Sequence, residues 1–199
     1  MNLPNICTLS RIPLMFIIVA LLYTESVGAA TLTFVLFVLA GITDFLDGHL
    51  ARKRGQVTNF GILMDAVTDK VLILGIMMAL VDRDRIPLPD PLPIFLVLLI
   101  MGREFLITGI RLVAASKGVV VSADRGGKQK TVTQILAVGA FFLADVAVAD
   151  LPRWTGLDWG WLVQALEYGG LALFLLAVVF TLSSGARYFR KYGAVVFNG

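Results

Sequence analysis

Four aspartates, Asp44, Asp47, Asp65 and Asp69, lie close together in sequence, at the ends of two apolar segments. Asp44 and Asp47 are three residues apart and Asp65 and Asp69 four, so on helices each pair projects from one face. Four carboxylates brought together would repel strongly, and hard divalent cations are the natural answer. An all-carboxylate set, in a chain with one cysteine and one histidine, points to Mg²⁺, Mn²⁺ or Ca²⁺ over zinc. Two such ions would roughly neutralise the cluster and leave coordination positions for phosphate oxygens, an arrangement suited to displacement at phosphorus. Gly48 removes a side chain next to Asp47, Ala51 keeps the following turn open, and Gly61 repeats the device four residues before Asp65. Arg52, eight residues after Asp44 and roughly 12 Å further along a helix axis, can reach a diphosphate.

The elements that must hold these groups are spanning helices. Of the 199 residues 58% are hydrophobic and 16% charged, and the mean hydropathy is +0.86, which a soluble domain of this length could not bury. Windows of roughly 20 apolar residues fall at about 12–29, 31–50, 61–81, 92–113, 130–149 and 161–183, predicting six spans in a single all-α membrane domain over 1–199. The turn around Lys53 to Asn59 is short enough to make the second and third spans an antiparallel hairpin that unites the two aspartate pairs. Upstream, Asn2 and Pro4 suit the start of a short interfacial helix carrying Ile6, Leu9 and Arg11 toward the headgroups. The opening residues lack a charged n-region and a cleavage site, so the first span is expected to stay in the mature protein.

Alternate connections carry twelve of the 17 Lys and Arg residues, from Arg11 and Arg52 to Lys191, against Arg83, Arg85 and Arg153 on the other side. The bias puts both termini and the aspartates in the cytoplasm. The net charge is only +3 and the bases sit between apolar segments, so no nucleic acid is expected as a partner, whereas an anionic bilayer face or anionic substrate fits. A lone cysteine excludes a disulfide scaffold.

Written out, Asp44-x2-Asp47-Gly48-x2-Ala51-Arg52-x8-Gly61-x3-Asp65-x3-Asp69 matches the signature of the CDP-alcohol phosphotransferase family at all eight fixed positions, and the chain resembles that family over nearly its whole length. The resemblance implies a six-span membrane enzyme that moves a phosphatidyl or similar group from a CDP-linked lipid to an alcohol and releases CMP. It implies that Asp44, Asp47 and Asp65 bind two metal ions, Mg²⁺ or Mn²⁺, and that Asp69 deprotonates the acceptor hydroxyl and can also touch a metal. Asp44, Gly48, Ala51, Arg52 and Gly61 match the positions that bind the CDP-diacylglycerol nucleotide. It also suggests a homodimer, and the missing transit peptide favours a bacterial inner membrane.

The bases downstream of the signature suggest an acceptor that carries phosphate. Arg103 and Arg111, eight apart on the fourth span, share a face, and Lys128 and Lys130 enter the fifth. The strings Gly102-Arg103-Glu104-Phe105, Gly109-Ile110-Arg111 and Gly127-Lys128-Gln129-Lys130-Thr131, with the opening Asn2 to Arg11, resemble those of the phosphatidylglycerophosphate synthases within the family. That implies sn-glycerol 3-phosphate as acceptor, with Arg111 and Lys128 foremost at its phosphate.

Plainer readings stand beside these. Inositol phosphate, serine or phosphatidylglycerol would serve the same chemistry as acceptors. Aspartates within spans also occur in divalent-cation transporters, although the inverted repeats and broken spans of such proteins are not visible. Arg103 and Glu104 could form a buried ion pair, and Lys117, Arg125 and Lys130 could hold a loop to anionic lipid. His49 reads as a boundary residue, and Asp145, Asp150 and Asp158 as solvated groups on the far side.

Overall fold

Long runs of Leu, Ile, Val, Ala and Phe, with every backbone group able to bond within its own segment, make helices the structure these residues form in an apolar medium. The computed structural model describes the backbone of residues 3–53, 59–116 and 125–197 and the side chains of residues 9–43, 64, 67–114 and 129–191. Among the described residues there are seven helices and no strand: α1 (Leu3–Leu22), α2 (Ala29–Lys53), α3 (Asn59–Asp82), α4 (Leu92–Ser116), α5 (Arg125–Ala149), α6 (Leu151–Thr155) and α7 (Gly160–Phe197). Three contain stretches long and apolar enough to cross a bilayer, Leu92–Ala114, Gln129–Ala149 and Gly160–Lys191, while Leu9–Leu22 and Ala29–Thr43 are shorter apolar stretches. At 1.5 Å per residue the 38 residues of α7 run about 57 Å, well beyond a hydrocarbon core of about 30 Å.

The amino-terminal expectation needs correction. No separate interfacial helix precedes the first span; α1 runs unbroken from Leu3 to Leu22 with Pro13 inside it. Proline removes the one N–H that would bond the Leu9 carbonyl. The segments on either side are held by tertiary contacts, Arg11 by an ion pair with Asp69 and Met15 and Ile18 by burial in the core, and these override the local break. The helix also stops earlier than hydropathy suggests. Tyr23 and Thr24 turn their N–H groups back to the carbonyls of Ala20 (3.2 Å) and Leu21 (2.9 Å), and Gly28 takes φ +85° before α2 begins.

Helix α5 packs most extensively on α7, and α1 packs on both α2 and α3. Small residues set these approaches. A Cβ on Gly170 of α7 would lie 2.9 Å from Phe141 Cε1 and 3.3 Å from Ala140 Cβ, both on α5. The core joins α1, α2, α3, α4, α5 and α7 through Ile18, Phe37, Met77, Val97, Phe142 and Phe174. Phe37 and Phe142 meet edge to face, with centroids 5.4 Å apart and planes at 84°.

Two aspartates read as solvated are buried instead. Asp145 is 7% exposed and pairs with Arg85 at 2.9 Å. Asp150 is 0% exposed and accepts three hydrogen bonds at the start of α2, from Gly28 N (2.7 Å), Thr31 N (2.8 Å) and Thr31 Oγ1 (2.7 Å). It therefore caps another helix from a distance, satisfying N–H groups that α2 cannot bond internally. Burial pushes the Asp150 carboxyl up, but the Thr31 hydroxyl, the backbone N–H groups of Gly28 and Thr31 and the charge of Arg153 together hold it below the usual carboxylate range. Asp158 is exposed, as expected, and accepts the Gly160 N–H at 2.8 Å.

Candidate active site

Helix α3 carries Asp69, and α1 brings Arg11 against it: Arg11 Nη1 donates to Asp69 Oδ1 at 2.7 Å. The arginine side chain is 3% exposed and the carboxylate 47%, so one partner is fixed in the protein and the other is accessible. Both line a cavity of about 490 Å³ that is otherwise largely apolar, walled by Phe37, Gly41 and Ile42 of α2, Leu72 of α3 and Ile135 of α5. A polar end on an apolar chamber suits a lipid whose headgroup reacts while its chains stay in apolar surroundings.

Among the described residues α2 and α3 line one cavity and each packs on α1 without packing directly on the other, and the turn expected to join them as a hairpin lies outside the described residues. Asp44 and Asp47 lie on α2 within two turns of Gly41 and Ile42, and Asp65 lies one turn before Asp69 on α3. Gly48, Ala51 and Arg52 follow on α2, Gly61 precedes on α3, and Lys128 is in the first turn of α5. The side chains of Asp44, Asp47, Gly48, His49, Ala51, Arg52, Gly61, Asp65 and Lys128 lie outside the described residues, as does Lys117.

A second polar group gathers where α4, α5 and α7 meet. Arg103 Nη1 donates to Glu104 Oε1 at 3.1 Å and Nη2 to Ser184 Oγ at 2.7 Å, while Lys130 Nζ donates to the same Glu104 oxygen. The side chains of Arg103, Glu104 and Lys130 are 9%, 8% and 10% exposed. The Arg103–Glu104 ion pair is thus present, and Lys130 is a buried partner in it instead of a loop anchor. Its position five residues into α5 carries it into the bundle, where only a carboxylate offsets the cost of burying an ammonium. One helical stretch away, exposed Arg111 donates to Tyr188 Oη at 2.6 Å. Arg103 and Arg111 therefore both face α7, in keeping with their spacing of eight. Lys70, next to Asp69, interacts electrostatically with Asp69 and with Glu104, Arg111 and Arg103, which ties the two polar groups into one neighbourhood.

Arg11 is the residue that reading by composition misplaced. It was expected at the headgroups and is 2% exposed instead. Its position in the opening string that carries the family resemblance was the available signal. Ser184 and Tyr188 were not legible, because no spacing rule links α4 to residues some eighty positions away.

Against known proteins, residues 1–183 match the family described as CDP-alcohol phosphatidyltransferase. The chain is 37% identical over 202 residues to a Bacillus subtilis protein named CDP-diacylglycerol–glycerol-3-phosphate 3-phosphatidyltransferase, covering 96% of this chain and 94% of that one. Proteins of the same name from Rickettsia typhi, at 34% identity, and Salmonella choleraesuis, at 33%, cover 95% and 94% of this chain and 96% and 92% of their own lengths. A family match over most of the chain, together with relatives aligned nearly end to end, means that this protein belongs to the CDP-alcohol phosphatidyltransferase family.

Proposed function

We propose that this protein transfers the phosphatidyl group of CDP-diacylglycerol to sn-glycerol 3-phosphate, giving phosphatidylglycerophosphate and CMP. The observation that carries the reading is Asp69, the last position of the eight-residue signature, held by Arg11 at the polar end of a lipid-sized cavity. The choice of acceptor is supported by relatives that bear this activity in their names over nearly the same length.

In this reading Asp69 accepts the proton of the glycerol 1-hydroxyl, the freed oxygen attacks the lipid-proximal phosphorus, and the bond to CMP breaks in one displacement. Arg11 fixes the orientation of this half-exposed carboxylate toward the acceptor. Arg52 receives the diphosphate, and Gly48, Ala51 and Gly61 leave room for the nucleotide beside the helices. Arg111 and Lys128, with Arg103 and Lys130 behind them, hold the acceptor phosphate. The donor set of Asp44, Asp47, Asp65 and Asp69 is carboxylate oxygen throughout, which fits two Mg²⁺ or Mn²⁺ ions and disfavours zinc. Such ions, when bound, supply positive charge that offsets the diphosphate.

The same reading makes the chain one six-span domain, a homodimer in a bacterial inner membrane, with both termini and the reaction on the cytoplasmic side, where the bases are concentrated. The test is purified protein supplied with CDP-diacylglycerol, Mg²⁺ and a panel of acceptors. Release of CMP with glycerol 3-phosphate is expected. Release only with inositol phosphate, serine or phosphatidylglycerol would replace the acceptor, and metal flux into sealed vesicles with no lipid product would replace the enzyme by a carrier.

A further inference from the structure

A second cavity, of about 440 Å³, opens at the opposite end of the helices. Asp82, the last residue of α3, is thirteen residues beyond Asp69, about 20 Å along the axis, so this cavity and the candidate active site lie at opposite ends of the bundle. Of the 17 Lys and Arg residues, the connections at this end carry Arg83, Arg85 and Arg153, and all three line this one cavity. Leu22, Phe142 and Val148 give it an apolar side, while Thr24, Glu25, Ser26 and Thr33 add further polar groups.

The arginines are not all consumed by structure. Arg85 Nε lies 2.9 Å from Asp145 Oδ1, which neutralises that pair. Arg83 is positioned by Tyr23: its guanidinium carbon stands 5.4 Å from the ring centroid, and the Tyr23 hydroxyl donates to Asp82 at 2.5 Å. Yet Arg83 Nε is buried with no hydrogen-bond partner. Arg153 reaches the Glu25 carbonyl at 3.4 Å, a long contact for a guanidinium. Asp145 Oδ2 is also buried without a partner. Arg83 Nε and Asp145 Oδ2 are thus one donor and one acceptor buried without a protein partner beside the apolar side of the cavity, a state that a bound polar ligand would complete. A phosphodiester answers the arginines, a headgroup hydroxyl or ammonium answers Asp145, and hydrocarbon answers the apolar side. The exposed Glu25 at the rim disfavours a doubly charged phosphate monoester.

We propose that this cavity binds the headgroup of a phospholipid, with the phosphodiester on Arg83 and Arg153 and a headgroup hydroxyl or ammonium on Asp145, at the end of the bundle remote from the reaction. Native mass spectrometry of the full-length protein, released from detergent with phosphatidylglycerol, phosphatidylethanolamine, phosphatidylcholine or inorganic phosphate, tests this. Wild type should retain one phosphatidylglycerol or phosphatidylethanolamine about tenfold more than Arg83→Gln/Arg153→Gln, the scale of one lost charge-assisted hydrogen bond. Phosphatidylcholine, whose headgroup has the phosphodiester but no donor for Asp145, should be retained less than phosphatidylethanolamine by wild type and less again by the double variant, and Arg83→Lys/Arg153→Lys should recover most of the retention. An unchanged thermal midpoint in the double variant establishes that its fold is intact. If that variant does not fold, Arg153→Gln alone, on an exposed residue of a five-residue helix, carries the comparison. Equal lipid retention by wild type and variant would overturn the proposal. So would inorganic phosphate displacing the lipid at equal concentration, which would assign the cavity to a free anion.

Discussion

Arg11 and Asp69, fifty-eight residues apart in sequence, form a 2.7 Å ion pair in which the arginine is buried and the carboxylate is half exposed. A charge-assisted bond to one oxygen fixes the plane of the carboxylate. Arg11→Gln should therefore lower kcat by about tenfold or more while changing the KM for CDP-diacylglycerol little, since the arginine acts through Asp69. Steady-state CMP release measures both constants, and a change confined to KM would assign Arg11 to substrate binding.

Arg111 is exposed and tied to Tyr188 Oη at 2.6 Å. If it receives the acceptor phosphate, Arg111→Ala should raise the KM for glycerol 3-phosphate by about tenfold, the scale of a lost hydrogen bond between charged groups, with kcat nearly unchanged. Tyr188→Phe, which removes the hydroxyl that orients the guanidinium, should produce a smaller rise.

Helix packing makes a prediction that is independent of chemistry. Gly170→Ala would set a methyl 2.9 Å from Phe141 Cε1 and 3.3 Å from Ala140 Cβ, and the ring side chain has to shift. The overpacked α5–α7 interface should lose about 1–3 kcal/mol, read as a lowered thermal midpoint in detergent. Gly169→Ala, next to it, meets nothing within 4 Å and should be close to neutral.

Asp150 offers a pH-dependent test. Its carboxyl titrates below the usual carboxylate range in the folded protein, so its contribution is present above the unfolded pKa of about 3.9 and is lost as pH falls through the folded value. Asp150→Ala leaves the N–H groups of Gly28 and Thr31 without their acceptor and should cost about 1–3 kcal/mol near neutrality. Thermal midpoints of wild type and variant should converge as pH drops below about 4.

Much of this was legible in the sequence because the relevant rules are local. Apolar runs mark the long helices, and spacings of three, four and eight place Asp44 with Asp47, Asp65 with Asp69, and Arg103 with Arg111 on common faces. What escaped depends on contacts between distant segments. The opening residues read as a separate interfacial helix, yet α1 runs on through Pro13 because Arg11 and Ile18 are anchored elsewhere. Asp150 reads as a solvated loop residue, but it caps a helix that begins some 120 positions earlier. Lys130 looks like a lipid-facing base until Glu104 is placed beside it from α4. Arg11, Asp150 and Lys130 were each placed at a surface, headgroup or solvent, and the partner that makes burial tolerable lies on another helix.

Asp69 is the group proposed to remove the acceptor proton, at the cavity that α2 and α3 line. CMP release from CDP-diacylglycerol with glycerol 3-phosphate and Mg²⁺, compared between wild type and Asp69→Asn at saturating substrates, tests it most directly. A fall of at least about a hundredfold is expected, the scale of general-base removal, with CDP-diacylglycerol still bound. Turnover by Asp69→Asn within a few-fold of wild type would contradict it.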